Sequence, residues 1–385
     1  MTGKSYQALR YAGLFLLIFL LLAAPAQANE PVFSDETDTV DLRGRVISVE
    51  DLEPDGDASQ FVELEQLVTI EITSGPFQGQ QHTILNELMG HPLFDIYVEE
   101  GRQVILWGEV DPDDGTLLQI YLQDYVRDTY LYYVIGLFVL VLVVAGGKKG
   151  LLTLVTLTVT IALVARVLLP LLLQGYPPIP TTLGVAVLIT LITLLGIGGL
   201  QRKTLAAVIG TAGGVAVAGV LALLVGNLAN LTGFSSEEAQ MLMYMEGTID
   251  VRGLLFAGII VGALGAVMDV AMSIASASHE VYCANPAICV RDQFRAAMNV
   301  GRDVMGTMAN TLILAYLGTS MSLLLLFMGY EVSYSSMINM DLVATEVIRA
   351  LSGSIGLVTA VPLTALFAGL LTVRTTKPAE NSVNK

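Results

Sequence analysis

The stretch YVRDTYLYYVIGLFVLVLVVAGGKKG, residues 125–150, is a seam between two kinds of chain. Before it, residues 29–128 hold 23 of the 35 acidic residues against only Arg43, Arg45, Arg102 and Arg127, a balance of −19. After it come long apolar runs separated by short basic or polar links. Mean hydropathy is +0.68, with 54% hydrophobic and 14% charged residues, which lies outside the range of globular chains surrounded by water. An acidic soluble domain tethered to a multi-pass membrane domain follows from that division.

Upstream of the seam, Val40–Glu50, Leu67–Thr73, Gln80–Leu85, Arg102–Val110 and Leu117–Tyr125 are rich in Val, Ile, Leu and aromatics and read as strands. Gly75-Pro76-Phe77-Gln78-Gly79 reads as a hairpin loop and Asp113-Asp114-Gly115-Thr116 as a tight turn, while Asn86–His91 is expected to form a short capping helix. Five short strands suit a small barrel of OB type or a similar closed sheet. Further upstream, Lys4 and Arg10, the apolar run Tyr11–Ala24 and Ala26-Gln27-Ala28 have the order of a cleaved signal peptide, with an uncleaved anchor as the alternative. Either places the acidic domain outside the cytoplasm.

Downstream, a spanning helix needs about 20 apolar residues. Tyr130–Ala145, Leu151–Leu173, Thr181–Leu200, Thr204–Val225, Gly253–Ser276, Val304–Met328 and Leu351–Val373 qualify, so about seven transmembrane helices are expected. Alternate links carry Lys148, Lys149, Arg202, Lys203, Arg291, Arg295 and Arg302, with Arg374, Lys377 and Lys385 in the tail, against Arg166, Arg252 and Arg349 on the other side. The positive-inside rule then places the C-terminus in the cytoplasm. The organisation is a signal peptide (1–28), an extracytoplasmic acidic β domain (29–128), an all-α polytopic membrane bundle (129–375) and a cytoplasmic tail (376–385). Two outer links, Ser235–Met245 and Asn339–Ala350, read as amphipathic helices at the outer interface.

The fifth apolar run holds Gly258, Gly262, Gly265, Asp269, Ser273 and Ser276 at helical steps of three and four, one face of small residues. That spacing points Asp269 into the bundle, near the helix centre, where an ionisable group is expensive to retain without a role. The sixth run brings Asp303, Gly306, Asn310 and Gly318 near one face, and the last brings Ser352, Gly356 and Thr359, then Pro362 as a bend or break. The bland alternative is that these groups only hydrogen-bond helix to helix. Cys283 and Cys289, with His279, lack the paired spacing of a zinc site and read as free thiols. No metal or cofactor site is expected.

Three blocks, GALGAVMDVAMSIASASHEV (262–281), NVGRDVMGTMANTLILAYLGTS (299–320) and INMDLVATEVIRALSGSIGLV (338–358), resemble the bacterial YibE/F-like membrane proteins. The resemblance implies a multi-pass membrane protein with an extracytoplasmic domain and brings no activity or catalytic residue.

Enzymatic patterns are missing: no GxxxxGK[ST] loop, no H-E-x-x-H, no G-x-S-x-G elbow. A net charge of −16 disfavours nucleic acid, and Asp111–Gly115 fails the spacing of a calcium loop. The function expected is a secondary transporter or permease for a small solute or ion, its path between the last three apolar runs. Asp269 is the titrating or cation-binding group, and Ser273, Ser276, Asn310, Thr359 and Pro362 line the polar core. The alternatives are a non-transporting scaffold or sensor whose outer domain binds a partner or envelope component, and an intramembrane enzyme.

Overall fold

Val, Ile and Leu at alternate positions build the first unit in the computed structural model, which describes residues 38–54, 62–244, 249–330 and 332–373. Strands β1 (Asp38–Leu52), β2 (Leu64–Ile72), β3 (Gln81–Leu88), β4 (Gln103–Val110) and β5 (Leu117–Tyr125) form one antiparallel sheet in the order β3-β2-β1-β4-β5. β1 is long enough to pair with β4 along its first half and with β2 along its second. The register shifts between Val46 and Ser48, and at Gly44 both neighbours meet: a Cβ there would run onto Ile70 and Leu106. The curl brings the edge strands β3 and β5 near each other, a half-barrel around Leu42, Val46, Val68, Ile70, Ile72, Val104 and Leu106. Buried Gln66 fastens the β3–β4 connection across one end. Its Nε2 donates to Asp51 Oδ1 (2.8 Å) and Val98 O (3.3 Å), and its Oε1 accepts from Val98 N (3.1 Å) and Asn86 Nδ2 (3.3 Å).

The five expected strands are all present within a few residues, and the two expected turns follow β2 and β4, with Gly75, Gly79 and Gly115 at positive φ. The short helix expected over Asn86–His91 is not. Asn86, Glu87 and Leu88 extend β3 because they pair with Gln66, Glu65 and Leu64 of β2. The proposed signal segment and tail, and Met245 of the first outer link, lie outside the described residues.

The second unit is helical: α1 (Asp128–Leu163), a π-helical segment (Val164–Leu168), α2 (Leu169–Leu173), α3 (Pro178–Gly198), α4 (Arg202–Leu228), the short α5 (Glu237–Met241), α6 (Val251–Ala284), α7 (Val290–Thr319), α8 (Met321–Gly329), the short α9 (Tyr334–Ile338) and α10 (Asp341–Val373). The compact units divide between Val141 and Leu142, within α1, whose start at Asp128 adjoins the expected boundary at 128/129. Among the described residues five helical stretches are long and apolar enough to cross a membrane, six if α7 and α8, bent by 58°, are one span. The expected count of about seven is not reached in that tally, because residues 128–173 enter as a single stretch of 46. That stretch is broken at Gly147 (φ 54°, ψ −130°). A Cβ on Gly150 would run onto the Leu142 carbonyl, whereas eight residues of straight helix rise about 12 Å, so the chain reverses here.

Small residues set the tightest helix contact. Gly214 of α4 and Gly356 of α10 face each other so closely that a Cβ on either would lie 2.6–2.7 Å from the other's carbonyl oxygen. Gly210 presses against Thr364 in the same seam. The core beside it gathers Val215, Ile260, Ala263, Val267, Ile274, Leu357, Ala360 and Val361 from α4, α6 and α10. Two expectations are corrected. Asn339–Ala350 is not a separate interfacial helix: from Asp341 it forms the first turns of α10, fastened by Thr232, whose amide and hydroxyl donate to Asp341 (3.2 and 2.7 Å). Pro362 does not break α10, which runs unbroken through it because Gly356 before it and Thr364 after it are held on the same α4 seam. The link expected to open a helix at Ser235–Glu238 does begin one, with Ser236 Oγ accepting from Ala239 N at 3.2 Å.

Candidate functional site

Helix α6 opens at Asp250, whose Oδ1 accepts the Gly253 amide at 2.8 Å. One of its faces, with Ile260, Ala263, Val267, Val270 and Ile274, is fully buried. The opposite face is Gly258, Gly262, Gly265, Asp269 and Ser273, and every one of these is exposed. A Cβ on Gly258 or Gly265 would meet nothing within 4 Å, and one on Gly262 only the Tyr316 hydroxyl at 2.9 Å. The face is therefore an open one lined by small residues, with the Tyr316 hydroxyl of α7 beside Gly262. On another flank of α6, Met272 approaches Gly198 of α3.

Asp269 lies about 27 Å from the start of α6, near the middle of its length at 1.5 Å per residue. It has no hydrogen-bond or ion-pair partner among the described residues. The expectation that Asp269 points into the bundle is thus reversed: it lies on the open side of its helix. The stripe admits a close neighbour by its spacing, but among the described residues no helix takes that place.

Three of the six expected site residues share this face or its border: Asp269 and Ser273 are exposed, and Ser276, one turn on, is half-buried. The other three do not join them. Helix α7 packs inward through Gly301, where a Cβ would meet Val361 and Ile274, and through buried Leu312. Asn310, with Asp303 and Gly306, is exposed on the side of α7 away from those residues. Thr359 donates its hydroxyl to Ile355 O at 2.7 Å, within its own helix. Pro362 is a half-buried member of an unbroken helix. The expected route between α6, α7 and α10 is filled by side chains where Gly301, Ile274 and Val361 meet.

A polar pair that sequence reasoning had read only as part of the amphipathic stretch Asn339–Ala350 and, for Arg349, in the charge count, lies within electrostatic range of Tyr316. Arg349 donates to Glu346 Oε1 at 2.8 Å, and both side chains are partly buried. Glu346 Oε2 is buried with no hydrogen-bond partner among the described residues. The signal was present as an acid and a base at i, i+3 in an otherwise apolar helix. Along α6 the polar groups thus run Ser276, Ser273, Asp269, then the Tyr316 hydroxyl at Gly262. Gly262 and Asp269 are about 10 Å apart along the axis.

Beyond α6, buried Gln293 donates to Ser278 O and Oγ (3.2 and 3.1 Å), holding the start of α7 on α6. Cys283 and Cys289 are exposed free thiols, Cys283 Sγ 3.7 Å from His279 Nε2 and Cys289 Sγ 3.2 Å from Asp292 Oδ2. Among the described residues no three His, Cys, Asp or Glu side chains gather as metal ligands would.

No curated protein and no solved structure matches the chain. The family model described as YibE/F-like protein matches residues 134–374, well over half of the chain, from six residues into α1 to the end of α10. With several helices long and apolar enough to span a bilayer, this chain is a membrane protein and belongs to the YibE/F-like family.

Proposed function

We propose that this protein is a permease of secondary-transport type, moving a small solute or ion along the open face of α6 with Asp269 as the titrating or cation-binding group. One observation carries the reading: a carboxylate sits mid-span, exposed and without a partner among the described residues, on a floor of glycines that leaves room beside it. Left against hydrocarbon such a group costs about 2.5–3.5 kcal/mol, so it is retained where water or a ligand reaches it. Ser273 and Ser276 supply neutral ligands on one side, and the Tyr316 hydroxyl and the Arg349–Glu346 pair continue the polar line on the other.

The reversal at Gly147 and the bent pair α7–α8 favour seven spans. The basic inner links favour an inner-membrane protein with the sheet outside and the C-terminus in the cytoplasm, after removal of a signal peptide. The sheet order, closing through β3 and β5, favours an OB-type barrel. The chain is read as neither an enzyme nor a nucleic-acid binder.

The test is access in the reconstituted protein. In a Cys283→Ser, Cys289→Ser background, Ser273→Cys is expected to react with small water-soluble thiol reagents, and a transported or bound cation to slow that reaction unless Asp269 is changed to Asn. Complete protection of the cysteine under all conditions sinks the permease reading. It would leave the scaffold or sensor, which one observation favours: a cleft of about 710 Å³ at the mouth of the sheet, lined by Thr39, Val40, Phe77, Gln80, Val110 and Leu117, is large enough for a partner's side chains or a small ligand.

A further inference from the structure

The β3–β4 connection carries apolar residues that the sheet does not use. Leu93 is 76% exposed, Phe94 74% and Met89 59%, with Tyr97 also open to solvent. The turn that presents them is tightly built. Gly90 takes φ +73°, His91 N donates to Asp95 Oδ2 (2.9 Å), Asp95 N donates back to His91 O (3.0 Å), and Leu93 N donates to His91 Nδ1 (3.2 Å). Phe94 stacks on the His91 ring at 4.5 Å. These bonds hold Leu93 and Phe94 outward as a fixed apolar tip. An exposed apolar cluster held in place marks a contact surface.

Where the tip lies says what covers it. β1, β3 and β5 run in the same direction, since each is antiparallel to β2 or β4. The connection after β3 therefore leaves the sheet at the same end as the chain leaving β5. The Tyr125 hydroxyl ties the two together, donating to Tyr97 O at 2.7 Å. Only Val126 and Arg127 separate β5 from α1, whose opening turns carry the exposed Tyr130, Tyr132 and Tyr133 ahead of a run of apolar residues. Tyrosines at that position are an interfacial belt where a span enters the bilayer. From Met89 to Gly101 there is no Lys or Arg, while Asp95, Glu99 and Glu100 are present, so attraction to anionic headgroups is not what brings the tip to a surface.

We infer that Met89, Leu93, Phe94 and Tyr97 form a second membrane contact, seating the exit end of the sheet on the lipid surface beside the entry of the first span. The contact is apolar, of the kind made by side chains lodged at the headgroup boundary, and it is independent of the transport reading.

The full chain, with Cys283→Ser and Cys289→Ser, reconstituted in phosphatidylcholine vesicles, tests it. An environment-sensitive fluorophore goes on Leu93→Cys and, in separate samples, on Phe94→Cys and on Asp113→Cys in the turn at the opposite end of the sheet. At the two tip positions the emission is expected to shift to the blue and to be lost when the lipid carries brominated acyl chains. At Asp113→Cys neither change is expected. Water-like emission at both tip positions, untouched by brominated lipid, overturns the inference. A blue shift without quenching by the lipid overturns it too, since the tip is then covered by protein.

Discussion

Helices α4 and α6 carry the same kind of small-residue stripe, yet one is shut and the other open. In α4, Gly210 and Gly214 lie against Thr364, Ala360 and Gly356 of α10, with no room for a methyl group on either side. In α6, Gly258 and Gly265 have empty space beyond them and Gly262 has one tyrosine hydroxyl. The difference lies in what stands opposite. Two small stripes allow backbones to approach until dispersion and weak polar contacts hold them. The α6 stripe instead contains Asp269, and a helix closing over it would strip a carboxylate of water without supplying a partner. Small spacing gives a helix the capacity for close approach, and the chemistry of both faces decides whether that capacity is used.

The largest expected effect breaks the comparison if it fails. Gly356→Leu forces the α4–α10 seam apart and is expected to cost about 3 kcal/mol, read as a loss of thermal stability in detergent. Gly265→Leu fills open space and is expected to change stability by less than about 0.5 kcal/mol while slowing reagent access to Ser273→Cys. Equal destabilisation by the two would mean that the α6 face is also packed.

The sheet contains the closed counterpart of Asp269, a polar side chain with all its bonds made. Gln66→Leu leaves the Val98 amide and the Asn86 carboxamide short of a partner and frees Asp51. A loss of about 2 kcal/mol is expected, with faster hydrogen exchange over residues 89–102. Unchanged exchange there would show that Gln66 does not hold the connection.

Asp269→Leu sharpens the contrast by going the other way. With no partner to orphan, it is expected to leave the fold intact and to raise stability by about 1 kcal/mol, while abolishing any cation dependence of thiol labelling at Ser273→Cys. A destabilised Asp269→Leu protein would reveal a partner that covers the face.

The smallest effect belongs to the paired carboxylates of the sheet. The Arg127 guanidinium donates to Asp124 and, with the Tyr125 amide, holds its carboxyl below the usual carboxylate range; the hydroxyl and amide of Thr116 do the same for Asp114. A depressed folded value means that the stability these groups contribute is whole above the unfolded value, about 3.9, and is lost as pH falls through the lower folded value. Because Asp124 and Arg127 are largely exposed, the contribution of their pair is screened to under about 0.5 kcal/mol. Asp124→Asn is expected to flatten part of the acid-side decline in the thermal melt below about pH 4; an unaltered profile would show the pair to be idle.

Much of the fold was legible because its signals are local. The strand positions follow from β-branched runs ended by Gly75, Gly79 and Gly115, and the span positions from apolar length. What was misread depended on distant partners. Asn86–Leu88 has no helical or strand preference strong enough to decide it, and hydrogen bonds to Leu64–Gln66 decided. Pro362 signals a break locally, but the seam to α4 on both sides of it keeps α10 whole. Asn310 and Thr359 have the right residue types and the wrong faces, which periodicity within one helix cannot reveal. The Glu346–Arg349 pair was legible at i, i+3 and gained meaning only with Tyr316 beside it.

The sequence by itself determined the acidic sheet, the apolar helices, the seam between them and the placing of Gly258, Gly262, Gly265, Asp269 and Ser273 on one face, because each rests on charge, length or period along a single segment. Only the tertiary structure decided which glycine stripe is closed and that Asp269 lies on the open one. Helix packing depends on the matching of two surfaces, and one helix's spacing carries no information about which surface will meet it.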